Sequence, residues 1–319
     1  MTKTLKTQPN TSDQQASGVP SVFKIGLVQM CSGRDVEANV RAATTLIREA
    51  AASGARYVQT PEMTTLMELE RDRLLLWTRP EEGNPSLAHF RALARELKLW
   101  LHIGSMGIAV GNGKLANRAY LISPQGAIAA KYDKIHMFDV DLPSGESYKE
   151  SRRFVPGTQA VVAALPWGGL GISICYDMRF PQLYRALAKG GADFLTMPSA
   201  FTRQTGEAHW ELLLRARAVE AQCYVFAAAQ CGRHENGRET YGHSLVVDPW
   251  GTIVAKAGGA PQVLLADIDP AMVTGARSRL PSLTHDRPFH IKGLVNDPSH
   301  GTPLSSSAGS EPSNVKDAS

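Results

Sequence analysis

An α/β fold with mixed sheets covered by helices is what this 319-residue sequence predicts. Three observations predict it. Strand-like and helix-like segments alternate along most of the chain, the pattern of strands joined through helices. Two pairs of strand-like runs flank Pro/Gly turns and read as hairpins. Runs such as FKIGLVQM are short and apolar, as strands buried by covering helices are.

The elements follow in order. Phe23–Met30 reads as a buried strand, and Val36–Ala52 carries apolar residues at helical spacing. Tyr57–Thr60 is a strand leading into Pro61–Glu62. Ser86–Leu97 reads as a helix and Leu101–Met106 as a strand. Arg118–Ile122 and Ala127–Tyr132 flank the turn Ser123–Gly126. Leu170–Cys175 is an apolar strand, followed by a helix over Pro181–Ala188 with proline in its first turn. Phe194–Pro198 is a strand, Glu207–Ala221 a charged helix and Tyr224–Gln230 a strand. Ser244–Pro249 and Thr252–Lys256 bracket the turn Trp250–Gly251, and Gln262–Ile268 closes the sheet. Residues 1–21 and 296–319 are polar or rich in Ser, Pro and Gly, and are expected to be disordered tails around one domain over 22–295. The sequence shows no internal repeat.

Apolar residues make up 43% and charged residues 20%, ordinary for a globular protein. A net charge of +4 without a Lys/Arg run gives no reason to expect nucleic-acid binding. No apolar run reaches the length of a membrane span, and the N-terminus lacks the apolar core of a secretory signal. The four cysteines, Cys31, Cys175, Cys223 and Cys231, form no CxxC pair, so neither a zinc site nor a disulfide framework is expected. The chain is therefore read as cytoplasmic with reduced thiols.

Three residues are candidates for chemistry. Cys175 ends an apolar strand and precedes a helix, where a nucleophile is exposed and the following N–H groups face its reaction centre. Alone it reads as a buried structural cysteine. Lys134 follows a strand among Ile135, Met137 and Phe138, and could hold an oxyanion and favour a thiolate. Alone it reads as a surface lysine. Glu62 closes the strand before it, where α/β sheets place ligands, and could take a proton and later activate water. Its plain alternative is a helix N-terminal glutamate. All three follow strand ends, so one cleft could hold a base, a cation and a nucleophile.

The segments TPEM, KYDKIHMFD and GISICYDMRFPQLYRALA resemble the Glu, Lys and Cys motifs of the nitrilase-like carbon–nitrogen hydrolases, in the same order. The likeness runs over about residues 23–290 and continues in YGHSLVVDPWGT and RLPSLTHDRPF; the long blocks look closest to the deaminated glutathione amidase branch. That resemblance implies a four-layer α-β-β-α sandwich paired into dimers or larger homo-oligomers. It also implies amide hydrolysis to carboxylate and ammonia through a thioester, with no metal or organic cofactor. Glu62 would be the base, Cys175 the nucleophile, and Lys134 with the Tyr176 N–H the oxyanion donors. Glu150, in SYKES, matches the family's second glutamate and would position Lys134 or the amide, with Glu146 its nearby competitor. The implied substrate is a small amide bearing carboxylates. Arg179 could bind one of these bidentately, or form a structural pair with Asp177 or a helix carboxylate. Tyr176, Ser199 and Thr202 should border the pocket.

Other residues read as structure. His209, Glu211, Arg215, Arg217 and Glu220 would stabilise a helix or an oligomer interface, and Cys223 and Cys231 would sit in the core. Two further readings stay open: an ω-amidase on 2-oxoglutaramate or N-carbamoyl amino-acid hydrolase, which would share Glu62, Lys134 and Cys175, and a non-catalytic scaffold on the same fold.

Overall fold

The structure, a computed structural model, describes residues 21–142 and 145–290. Apart from Ser21, the expected tails lie outside the described residues, as does the expected domain end at 295. The chain divides into a unit ending at Thr284 and a second one from His285. The description below concerns the first.

Its N-terminal half holds β1 (Phe23–Gln29), α1 (Val36–Ala52), β2 (Tyr57–Gln59), α2 (Arg71–Trp77), α3 (Pro85–Leu97), β3 (Trp100–Gly111), β4 (Lys114–Ile122) and β5 (Ile128–Asp133). A small ribbon of β6 (Asp139–Asp141) and β7 (Ser147–Lys149) follows. The C-terminal half holds β8 (Val161–Leu165), β9 (Gly168–Ile172), α4 (Pro181–Lys189), β10 (Ala192–Thr196), α5 (Arg203–Ala221) and β11 (Tyr224–Ala227). It closes with a second ribbon, β12 (Cys231–Arg233) and β13 (Glu239–Tyr241), then β14 (Leu245–Val247), β15 (Ile253–Lys256), β16 (Gln262–Ile268) and α6 (Ala271–Arg279).

Two six-stranded sheets result, in the orders β16-β1-β2-β3-β4-β5 and β15-β14-β11-β10-β9-β8. In the first, β1, β2 and β3 are parallel, β4 and β5 continue antiparallel, and β16 lies antiparallel on β1. The second repeats that plan, with β9, β10 and β11 parallel, β14 and β15 continuing and β8 antiparallel on β9. A sequence without a detectable repeat thus folds as two topological copies. Identical strand order asks only for the same succession of apolar runs and crossovers, not for the same residues.

Side-chain alternation on β1 shows why the layers stack as they do. Phe23, Ile25 and Leu27 point into the core shared by the two sheets, whereas Val28 points to the other face, packed with Ala43, Ile47 and Ala50 of α1 and Phe90 of α3. Both faces are buried, so the strand reads as an unbroken apolar run. Gly26 brings helix and sheet together, since a Cβ there would stand 2.7 Å from the Ala50 Cβ. On the far side, Leu183 and Leu187 of α4 with Trp210, Leu214 and Ala218 of α5 join the core of the second sheet. The layers are helix, sheet, sheet, helix.

Some elements end elsewhere than their sequence suggests, and the differences gather at one end of the sheets. The Leu170–Cys175 run stops as a strand at Ile172 because Cys175 takes a positive φ of 48°, which no strand accommodates. Tyr224–Gln230 stops at Ala227. The Glu207–Ala221 helix starts earlier, at Arg203, because Thr202 caps it by accepting from the Thr205 N–H. β3 is longer than Leu101–Met106, running from Trp100 to Gly111 on a hairpin with β4. The short α2 and α6, the two ribbons and β8 carried no periodic signal to find them.

Beyond β2 the chain is stitched to β3. Thr60 N–H donates to the His102 carbonyl at 2.9 Å, Thr64 N–H to the Ser105 carbonyl at 2.9 Å, and Met63 N–H to Ser105 Oγ at 2.9 Å. This contact needs Gly104: a Cβ there would lie 2.1 Å from the Thr60 carbonyl oxygen and 2.4 Å from the Pro198 Cβ. Gly104→Ala is expected to destabilise the fold by about 1–3 kcal/mol or more through overpacking against backbone, and to lower turnover by displacing the segment that carries Glu62. Urea unfolding measured beside kcat checks this; a wild-type midpoint would exclude it.

Candidate active site

Four buried residues meet where strands of both sheets end. Glu62 lies past the end of β2, Lys134 directly after β5, Glu150 after β7 and Cys175 past the end of β9. They are 4%, 2%, 9% and 7% exposed, so their charges interact with little solvent between them. Lys134 Nζ donates to Glu62 Oε1 at 3.0 Å and to Glu150 Oε2 at 2.8 Å and Oε1 at 3.1 Å. Glu62 also shares the cavity wall with Cys175, near enough for its charge to act on the thiol. Its Oε2 takes the Ala200 N–H at 2.9 Å, just past the end of β10. One carboxylate therefore bonds the cation and faces the nucleophile, the arrangement expected of a shared base.

Asn117, on β4, ties the two glutamates together: its Nδ2 donates to Glu62 Oε1 at 3.0 Å and to Glu150 Oε1 at 3.2 Å. Phe138 N–H completes the hold on Glu150 with a bond of 2.7 Å to Oε2. Glu150 is thus the glutamate at the cluster, whereas Glu146 is exposed and accepts from the Tyr148 hydroxyl at 3.0 Å.

Asp177 builds the turn that presents the thiol. Its Oδ2 accepts from Ile174 N–H at 2.9 Å and from the Tyr132 hydroxyl at 2.7 Å. Its Oδ1 takes the His136 N–H at 3.0 Å and pairs with His136 Nδ1 at 2.7 Å. His136 in turn stacks on Phe180 with ring centroids 3.5 Å apart. So Asp177 locks the one-turn 3-10 helix Cys175–Arg179 to the segment after Lys134. Arg217 of α5 adds a bond of 2.9 Å from Nε to the Met178 carbonyl. The charged residues of α5 divide accordingly: Arg217 supports the site, while Glu211 pairs with Lys256 at 2.7 Å and Arg215 Nε donates to the Gly251 carbonyl at 2.8 Å.

The charges are arranged so that the thiol rests neutral. Burial pushes the Cys175 pKa well up, and the Glu62 carboxylate pushes it further; Lys134 and the Ala200 N–H oppose this without overcoming it. The thiolate favoured by a helix N-terminus and a nearby lysine is therefore not the resting form, because desolvation outweighs both. Burial also works against the Glu62 carboxylate, yet the Lys134 charge, the thiol and the ammonium hydrogen bond together hold its pKa below the ordinary value of 4.5. Burial likewise disfavours the Lys134 ammonium, but Glu150 and Glu62 outweigh it and hold its pKa above 10.5.

A pH profile follows. Catalysis that needs ionised Glu62 fails only as the pH falls through a pKa already below 4.5. Catalysis that needs charged Lys134 fails only as the pH rises past 10.5. kcat/KM, measured on free enzyme, is expected to be flat from about pH 6 to about pH 9; an inflection near neutrality would show that another group controls the rate.

A cavity opens onto the thiol. Its walls include Tyr176, Arg179 and Thr202, and also Phe138, Tyr148, Arg153, Phe201 and Arg238. Ser199 is not among them: it is fully buried, with Oγ on the Met197 carbonyl at 3.0 Å and its N–H on the Ala228 carbonyl at 2.9 Å. The backbone pairing that fixes Ser199 beside Ala229 leaves its neighbours, Ala200 and Phe201, to line the space. Arg179 does not pair with Asp177, whose oxygens are taken; its guanidinium lies over the rings of Tyr176 and Phe201, 5.9 and 5.6 Å from their centroids, and Nη2 meets His209 Nδ1 at 3.3 Å. Cys223 and Cys231 are buried away from the cavity, and Cys31 is exposed.

Known proteins are similar to this chain in sequence and fold. The carbon-nitrogen hydrolase family matches residues 24–278. The deaminated glutathione amidase of Mus musculus is 40% identical over 292 residues, which cover 90% of this chain and 90% of that protein. The crystal structure of Saccharomyces cerevisiae Nit3, a member of branch 10 of the nitrilase superfamily, is 32% identical with a TM-score of 0.75, covering 84% of this chain and 97% of that one. A mutant of the amidase from Nesterenkonia sp. AN1, with the acetamide moiety of fluoroacetamide covalently added at its active site cysteine, is 26% identical with a TM-score of 0.69, covering 82% and 95%.

Proposed function

The chain belongs to the carbon-nitrogen hydrolase family, and on that premise we propose that it is a cysteine-dependent amidase whose substrate is deaminated glutathione. It is a hydrolase of carbon–nitrogen bonds other than peptide bonds. The observation that carries the mechanism is the buried cluster in which Glu62 bonds Lys134 and lines one cavity with Cys175. The substrate rests on the match to the Mus musculus enzyme, which extends over nine tenths of both chains.

Glu62 takes the Cys175 proton as the sulfur attacks the amide carbonyl carbon. The carbonyl oxygen becomes an oxyanion, held by the Lys134 ammonium and the Tyr176 N–H. Carbon–nitrogen cleavage leaves a thioester on Cys175, and Glu62 returns its proton to the departing nitrogen. A primary amide releases ammonia; deaminated glutathione, whose amide nitrogen belongs to its cysteinyl residue, releases cysteinylglycine. Glu62 then takes a proton from water, which attacks the thioester, and the proton passes back to the sulfur as the acid leaves. A neutral resting thiol suits this cycle, because the base that must accept its proton lies beside it in the cavity. The cysteine adduct in the Nesterenkonia amidase supports the same nucleophile here. Arg179 takes a substrate carboxylate in this reading, which its position at the cavity wall without a carboxylate partner among the described residues supports.

The test compares cysteinylglycine release from deaminated glutathione with ammonia release from 2-oxoglutaramate, for wild type and Cys175→Ala. Loss of both activities in the variant, with about tenfold or greater preference for deaminated glutathione in the wild type, is the expected result. The opposite preference would make the protein an ω-amidase by the same mechanism. A folded wild type inactive on both would refute the substrate reading.

A further inference from the structure

The cavity has more positive charge than the chemistry uses. Besides Arg179, it is lined by Arg153 and Arg238, and among the described residues neither forms an ion pair. Two other partly buried arginines show the contrast, Arg118 paired with Glu81 and Asp133 and Arg277 with Asp193, whereas Arg79, Arg91 and Arg215 also rest on backbone carbonyls. Glu68, a carboxylate on the same wall, is taken up by Arg34 at 3.2 Å and by the N–H groups of Leu69 and Glu70 at 2.7 and 3.0 Å. Arg153 and Arg238 are each anchored by one backbone carbonyl, those of Leu69 and Ala200 respectively. Nε of Arg238 is buried with no hydrogen-bond partner at all. A buried, unpaired guanidinium nitrogen is costly unless a ligand satisfies it.

Their position relative to Arg179 is set by an aromatic wall. Arg179 lies over Tyr176; Tyr176 meets Phe138 edge-on with centroids 5.2 Å apart, and Phe138 meets Tyr148, also at 5.2 Å. Arg238 lies over Tyr148, 5.1 Å from its centroid. The two cations are thus connected through a chain of three ring contacts, and Phe138 at its middle holds Glu150 through its N–H. Arg153 and Arg238 are close enough for their charges to repel: burial and Arg238 both push the Arg153 pKa down, against Glu150 and Glu68. A carboxylate bound beside both in the cavity would remove that repulsion.

We propose that Arg153 and Arg238 form a second carboxylate subsite, which takes the terminal carboxylate of the leaving group while Arg179 takes that of the acyl half. The proposal rests on the amidase reading above and deepens it: the preferred substrate is an amide with an anion on each side of the scissile bond. Specificity then comes from the distal arginines, not from Glu62, Lys134 and Cys175, which any amide of the right size could use. A site built to bond a charged group rejects an analogue lacking it, because its own polar groups are left unsatisfied.

Three substrates test it: deaminated glutathione, its C-terminal carboxamide, and 2-oxoglutaramate, which has no second carboxylate. Wild type is expected to prefer the acid over the carboxamide by about 10- to 100-fold in kcat/KM, mostly through KM. In Arg238→Gln and Arg153→Gln that preference should shrink to under about threefold, and Arg238→Lys should restore part of it. Equal wild-type cleavage of acid and carboxamide would overturn the subsite while leaving the amidase intact. So would a loss in Arg238→Gln that falls equally on 2-oxoglutaramate, since the arginines would then serve the acyl half. If wild type cleaves none of the three, the substrate reading fails, and protection of Cys175 from iodoacetamide decides the subsite separately. N-succinylglycine protecting at about tenfold lower concentration than N-succinylglycinamide, with the ratio lost in Arg238→Gln, keeps it; equal protection overturns it.

Discussion

Glu62→Gln is expected to lower kcat by about 10³-fold or more while the protein stays folded. General base catalysis contributes on the order of 10²- to 10⁴-fold to one proton transfer, and this carboxylate is used in both halves of the cycle. It must accept the proton of a thiol whose own pKa lies far above neutrality, so without it almost no thiolate forms. Glutamine keeps the size of the side chain and can still accept the Ala200 N–H. Lys134 keeps Glu150 as a counter-ion at 2.8 Å, so stability should change far less than activity. Two readouts separate this from simple damage. Alkylation of Cys175 by iodoacetamide should slow along with turnover, and the urea midpoint should move little. A variant retaining a tenth of wild-type kcat would show that Glu62 is not the base.

The sequence carried the parts of the site that sit at strand ends. Glu62, Lys134 and Cys175 each follow an apolar run with a sharp local signal, and Glu150 could be found only through its resemblance to a family pattern. What could not be read is whatever depends on distant segments meeting. Asn117 lies in the middle of a strand and Asp177 two residues past the nucleophile; neither shows locally that it bonds four groups or bridges two glutamates. Arg238 comes from the polar tip between β12 and β13, a sequence that reads as a solvated turn, and Arg153 follows a one-turn helix. The direction of the thiol pKa was also illegible, because it depends on desolvation in the fold rather than on neighbours in the chain. The element boundaries that moved, after β9 and β11, lie where the chain leaves its ladder at the ends of parallel strands. Regular pairing is given up there so that side chains can enter the cleft.

Lys134→Met should destabilise the fold as well as slow turnover, and its effect on stability should depend on pH. In the wild type one ammonium lies 3.0 Å from Glu62 and 2.8 Å from Glu150, with almost no solvent. Removing one partner of a buried ion pair costs about 3–5 kcal/mol, because charge is left unpaired. Here two carboxylates would be left facing each other through Asn117. Burial and like charge both raise a carboxylate's pKa, so in the variant the folded state would bind a proton that the unfolded chain, near pH 7, does not. A folded-state pKa raised above the unfolded one makes native stability fall as pH rises from about 4.5. The destabilisation should therefore be smaller at pH 5 than at pH 8, as read by urea unfolding at both. Turnover should fall by at least about 10²- to 10³-fold with the loss of an oxyanion donor. Adding Glu150→Gln to Lys134→Met removes one of the two charges, so the double variant should regain much of the stability and none of the activity. If the single variant instead unfolds identically at both pH values, the carboxylates are not held charged against each other by Lys134. If the double variant recovers turnover, Lys134 serves only to keep the site folded and some other donor holds the oxyanion.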